Sequence, residues 1–167
     1  MIQCKRGFVA GILFFAVALA PVAARADPVE DGLGAEQRDA TAQNNLSIRL
    51  AAEQGSAVAQ NTLGFMYQHG RGAPLNVTEA LKWYRLAAEQ GFGLALFNLG
   101  GLYATRQGVP LDYVQAHMWF SLAATHLPPS EVYNKVAKRR DLVARLMTRA
   151  QVAEAQKLAR EWRPKGA

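Results

Sequence analysis

Residues 50–124 read LAAEQGSAVAQNTLGFMYQHGRGAPLNVTEALKWYRLAAEQGFGLALFNLGGLYATRQGVPLDYVQAHMWFSLAA, and the stretch repeats itself at a step of 36 residues. Leu50-Ala51-Ala52 returns as Leu86-Ala87-Ala88 and again as Leu122-Ala123-Ala124. Gly55, Ala59, Leu63, Gly64 and Tyr67 recur as Gly91, Ala95, Leu99, Gly100 and Tyr103. Gly72, Pro74, Leu75, Ala80, Trp83 and Tyr84 recur as Gly108, Pro110, Leu111, Ala116, Trp119 and Phe120. No insertion breaks the register. A period of this length marks supersecondary units stacked on one another, none of which hides its apolar face alone.

Each unit reads as two helices. Ala59, Leu63, Met66 and Tyr67 fall at i, i+4, i+7 and i+8, the stripe of an amphipathic helix A that starts after Ser56. Gly70, Gly72 and Pro74 end it near His69. Asn76 then offers an N-cap oxygen with Glu79 as capping-box partner, and Asp112 with Gln115 makes the same offer one unit later. Helix B follows, with Ala80, Trp83, Tyr84, Ala87 and Ala88 on one face, and Gly91 supplies the left-handed position that ends it, as Gly55 does one unit earlier. Gly64 and Gly100 cost helix propensity, about 1 kcal/mol each against Ala, which makes sense where a neighbouring helix approaches closely. Trp83, Trp119, Tyr67 and Tyr103 recur in phase and are expected in the core.

The pattern resembles that of the Sel1-like repeat (SLR) family, relatives of the tetratricopeptide repeats. It is carried by Ala59-Gln60-Asn61-Thr62-Leu63-Gly64-Phe65-Met66-Tyr67, Gly70-Arg71-Gly72-Ala73-Pro74, Ala80-Leu81-Lys82-Trp83-Tyr84 and Ala87-Ala88-Glu89-Gln90-Gly91. The second copy keeps Gly108-Val109-Pro110-Leu111-Asp112 but has Arg106 where the first has Gly70. The resemblance implies an all-α fold, an α/α solenoid winding as a right-handed superhelix of helix-turn-helix units, used mostly as a protein-binding scaffold.

Outside the repeats, residues 1–26 read as a secretory signal peptide: Lys5 and Arg6 precede an apolar run over residues 7–20, Pro21 breaks it, and Ala24-Arg25-Ala26 has the small-x-small form of a cleavage site. An uncleaved membrane anchor is the competing reading, though the run is short for a span. Cleavage before Asp27 would place the mature protein in the periplasm or outside the cell. It would also remove Cys4, the single cysteine, and with it disulfides, thiol nucleophiles and Cys-ligated zinc. Residues 27–34, with Pro28, Gly32 and Gly34, read as a flexible leader. The repeat domain is then 35–167: an N-terminal capping helix over 35–55, repeats over 56–91 and 92–127, and capping helices over 128–167. In that last part Pro128-Pro129 stop helix B and Ser130 starts a helix with Tyr133, Val136, Val143 and Met147 on one face. Thr148 and Gln151 then cap a final helix with Val152, Ala155, Leu158 and Trp162 inward.

Little in the chain speaks for catalysis. The three histidines, His69, His117 and His126, pair with no carboxylate or second histidine at metal-ligand spacing, and helix-end or exposed positions explain them. No nucleophile elbow, zincin helix or phosphate loop is present. No enzymatic activity, cofactor or metal is expected. Charge is unevenly placed. Residues 27–126 carry 6 basic and 9 acidic side chains, and residues 127–167 carry 10 and 4. Lys135, Lys138, Arg139, Arg140, Arg145 and Arg149 crowd the first C-terminal capping helix, which either meets an anionic membrane surface or an acidic partner, or is a solvated face. Nucleic acid is not an expected partner, because the basic run lacks interleaved stacking aromatics.

The remaining candidate is the face of helix A opposite its core stripe. In the first repeat it carries Asn61, Phe65 and Gln68, and in the second Phe97, Gly101 and Ala104, with Asn98 beside them. The resemblance to tetratricopeptide stacks turns this face toward a concave groove. Asn61, Phe65, Gln68, Phe97 and Asn98 are thus candidate partner-binding residues, the phenylalanines as anchors and the amides as backbone grips. Phe65 and Phe97 equally satisfy the spacing if they pack between successive A helices. The expected function is a non-catalytic interaction scaffold of the bacterial cell envelope that binds a protein or peptide segment. Binding or hydrolysis of peptidoglycan fragments or β-lactams, proposed for cysteine-rich relatives, and a membrane-surface adaptor role through the basic helices are the alternatives.

Overall fold

A computed structural model describes residues 28–106 and 108–165. Among the described residues the chain forms seven α-helices and no strand: α1 (Pro28–Glu53), α2 (Ala57–His69), α3 (Val77–Glu89), α4 (Gly93–Ala104), α5 (Tyr113–His126), α6 (Glu131–Ala144) and α7 (Arg149–Glu161). Helices α2 and α4 are the A helices of the two repeats, and α3 and α5 the B helices. From α1 to α6 each helix packs on the next in chain order, and α7 returns to pack on α5. This is an all-α helical-repeat stack. The proposed signal peptide over 1–26 lies outside the described residues.

The helix ends follow from side-chain chemistry. Ser56, Asn76, Asp112, Ser130 and Thr148 each accept a backbone N–H from three residues on. Only Thr148 and Gln151 complete a reciprocal capping box. At Asn76 the expected return bond is missing because the Glu79 carboxylate turns outward to Lys82. Gly55 and Gly91 take φ of 94° and 77° after their B helices, where a Cβ would strain the backbone. Each A-to-B loop is clipped in the same way. The Asn76 amide donates to the Tyr67 carbonyl at 2.9 Å, and 36 residues later the Asp112 amide donates to the Tyr103 carbonyl at 3.0 Å. The periodicity therefore extends to the backbone hydrogen bonds.

Close helix approach sets the core. A Cβ on Gly64 would lie 2.7 Å from Tyr84 Cδ1, and one on Gly100 would lie 2.5 Å from Phe120 Cδ1. Each A helix is thus notched where an aromatic ring of its own B helix lies against it. Tyr84, Phe120, Leu63, Leu96, Leu99, Leu102 and Val136 are the largest fully buried side chains, and fully buried Ala80, Ala87, Ala88, Ala95, Ala116 and Ala123 pack among them. At about 25 cal/mol per Å² this apolar burial is the main favourable contribution to the fold.

Three expectations need correction. Residues 28–34 are not a loose leader: α1 begins at Pro28, which is tolerated at a first helical position where its missing N–H would have no partner. Gly32 and Gly34 lower propensity, but each added residue gains a hydrogen bond once the helix exists. Trp83, Trp119, Tyr67 and Tyr103 are half-buried rather than interior, because they rim the clusters whose centres the smaller residues occupy. His117 is not exposed but buried, since α5 is covered by α4 on one side and by α6 and α7 on others.

Candidate functional site

Phe65, Gln68, His69, Phe97, Asn98, Gly101, Thr105 and Arg139 line one open pocket of about 420 Å³ between the two A helices. The one-unit offset between α2 and α4 puts equivalent turns side by side, so residues from the face opposite each core stripe converge. Phe65, Gln68, Phe97 and Asn98 are thereby brought together as wall residues. Asn61 is held one step back: its Oδ1 accepts from Asn98 Nδ2 at 2.9 Å, tying α2 to α4.

The two phenylalanines differ in setting. Phe65 is 39% exposed, and its ring lies 4.1 Å, centroid to centroid, from that of His69 one turn on. His69 Nδ1 lies 3.1 Å from the Phe65 carbonyl oxygen, which can only accept, so Nδ1 carries the proton. Phe97 is half-buried, 5.8 Å from the buried Phe120 ring, and the Arg139 guanidinium sits 5.7 Å above its centroid. Both rings line the pocket, Phe65 as the more exposed one and Phe97 as the one anchored to the core.

The polar wall is partly committed inside the protein. Gln68 Oε1 accepts from the Tyr84 hydroxyl at 2.8 Å, which fixes the amide and leaves its NH₂ for a ligand. Burial pushes the Tyr84 phenol well above the ordinary tyrosine range, so it remains a donor. Among the described residues, Arg139 is the only permanently charged side chain around the pocket, and no carboxylate lines it. Thr105 and Arg139 were not singled out from the sequence as wall residues. The signal for Arg139 was present: it stands three residues after buried Val136 and four before buried Val143, beside that inward stripe.

The histidines sit apart. His126 caps the end of α5, its Nδ1 2.9 Å from the Leu122 carbonyl oxygen, with Trp162 edge-on at 5.8 Å. His117 lies 3.4 Å from Ser121 Oγ. Burial, and then nearby Arg140, hold its pKa below the ordinary value, with Asp141 opposing in part. Among the described residues, none of the three histidines is joined to both a nucleophile and an orienting carboxylate.

Stacked helix pairs repeated in register define a helical-repeat protein. The Sel1 repeat matches residues 57–92 and 93–126, so the chain carries two Sel1 repeats. It is similar to the crystal structure of a protective antigen present in uropathogenic Escherichia coli strains that displays an SLR fold. That likeness has a TM-score of 0.66 at 32% identity and covers 72% of this chain and 25% of the other. It is also similar to the crystal structure of a Sel1 repeat protein from Oxalobacter formigenes, with a TM-score of 0.50 at 28% identity over 75% of this chain and 59% of the other. The chain therefore spans a quarter of the first of these proteins and 59% of the second. None of the curated proteins matches it at a significant level. Sel1-repeat proteins are generally protein-interaction scaffolds and typically non-catalytic.

Proposed function

We propose that this chain is a non-catalytic scaffold that binds an extended segment of a partner protein along the facing A helices α2 and α4. The observation that carries the reading is the shared pocket, in which an outward aromatic ring, Phe65, stands beside fixed amides, Gln68 and Asn98. An outward aromatic supplies most of the energy in such contacts, and oriented amides satisfy the backbone of an extended peptide. We further propose that it works in the bacterial cell envelope, on the strength of the export-like pattern of residues 1–26.

The test is affinity capture from cell-envelope extract with the native chain and with Phe65→Ala, both checked for equal helicity. A partner held by the native chain and lost with Phe65→Ala supports the reading. Equal capture by both moves binding to another surface.

A further inference from the structure

Two recesses of this chain meet at one side chain. Arg139 lines the pocket between α2 and α4, and it also lines a smaller recess of about 150 Å³ where α6 faces α4 and α5. Thr105 belongs to both, and the second recess is walled further by Ala104, Tyr113, Leu142 and Leu146. Leu142 and Leu146 are 59% and 58% exposed, whereas Val136 and Val143 of the same helix are buried. Leu142 on α6 and Leu146 just past its end thus form a second apolar edge that the fold does not cover.

Charge adds direction. Arg140 donates to the Asp141 carboxylate from both Nε and Nη2, and Lys135 pairs with Glu131. Among the described residues, no carboxylate lies within ion-pair distance of Lys138, Arg139 or Arg145, all exposed. Among the described residues, no Asp or Glu lines either recess.

We infer that the groove's occupant is an acidic segment of a partner protein, with a carboxylate on Arg139 and a neighbouring aliphatic or aromatic side chain in the Leu142–Leu146 recess. The inference rests on the groove reading above and gives its ligand a chemistry. A guanidinium held 5.7 Å from a ring centroid by a cation–π contact keeps its N–H groups for a ligand, and its planar fork matches a carboxylate with two parallel hydrogen bonds. An apolar cavity of about this volume accommodates a benzene-sized group. Lys138 and Arg145 line the adjoining face of Leu142 together with Asp141, whose carboxylate is already held by Arg140, so this edge is net positive and favours an acidic segment over a basic one. The recess is concave, which suits an inserted side chain better than the flat surface of a bilayer.

The experiment is selection of a phage-displayed random-peptide library on the purified chain. The enriched peptides are then measured by fluorescence polarisation against native, Arg139→Gln, Leu142→Ser/Leu146→Ser, Phe65→Ala and Lys157→Gln chains. Lys157→Gln removes the same charge from exposed α7 and leaves the groove intact. Enriched peptides should place Asp or Glu beside a large apolar residue. Their affinity should fall about tenfold with Arg139→Gln and should fall with the leucine pair, weaken as salt rises, and be unmoved by Lys157→Gln. Peptides that need Phe65 but carry no acidic residue, or that ignore Arg139→Gln, overturn this inference and leave the groove reading standing. Peptides indifferent to Phe65, Arg139 and the leucines alike overturn both. Vesicles containing phosphatidylglycerol are assayed in parallel. Binding to them that is lost with Arg139→Gln, when no peptide depends on that residue, assigns the edge to lipid and overturns the inference.

Discussion

The ring of Phe120 lies against Gly100 so closely that a Cβ on the glycine would stand 2.5 Å from Cδ1, while the adjacent Gly101 has no atom within 4 Å of the same position. Two neighbouring glycines in one helix therefore have opposite reasons to be there. Gly100 is a notch required by packing. Gly101 faces the open pocket.

Substitution should separate them. Gly100→Ala gains about 1 kcal/mol of helix propensity, but it forces the buried ring of Phe120 to shift, and overpacking typically costs about 1–3 kcal/mol. The expected result is net destabilisation, and the same holds for Gly64→Ala against Tyr84. Gly101→Ala meets no neighbour and should stabilise by about 0.5–1 kcal/mol. Denaturant unfolding of the three variants checks the ordering.

The two groove phenylalanines should also part company. Phe65→Ala removes a ring that is 39% exposed and lies against His69, and should cost about 1 kcal/mol, less than its counterpart. Phe97→Ala strips contacts to Phe120 and the surface beneath Arg139. It should cost about 2 kcal/mol, roughly half of what a fully buried ring loses. Thermal unfolding of both variants decides whether Phe65 alone is a clean probe of binding.

His117 should make stability depend on pH. Its folded pKa is depressed, by burial first and Arg140 second, while in the unfolded chain it takes up a proton near the ordinary value of about 6.5. Below that pH the unfolded state binds more protons, so stability is full above about 6.5 and is lost as pH falls toward the depressed folded value. Glu131 is lowered by its bond to Lys135 and loses its contribution only in the carboxylate range, below this window. Urea midpoints should decline from about pH 7 to pH 5, and His117→Leu should flatten that decline.

Much of this architecture was legible in the residues because the same chemistry occurs twice. Leu63 with Gly64 and Leu99 with Gly100 mark the A helices, and Ser56, Asn76, Asp112, Ser130 and Thr148 mark the starts of five helices. What escaped the reading was orientation. Helix α4 is apolar almost all round, with Leu94, Leu96, Phe97, Leu99 and Leu102, so spacing alone does not say which side meets solvent. Helix α5 has the same character, and the burial of His117 follows from α6 and α7 docking over it, a tertiary event with no local signature. Arg139 looked like one charge in a basic run. Its place over Phe97 depends on how α6 crosses the end of the stack.

The most direct test of the central claim is site-specific photocrosslinking in the cell envelope. A benzophenone side chain replaces Phe65 or Thr105 in the pocket, or Leu86, which is 42% exposed on α3 and does not line the pocket. The account predicts adducts to a common partner protein from positions 65 and 105 and none from 86. Adducts from 86 alone, or equal labelling from all three positions, would contradict it.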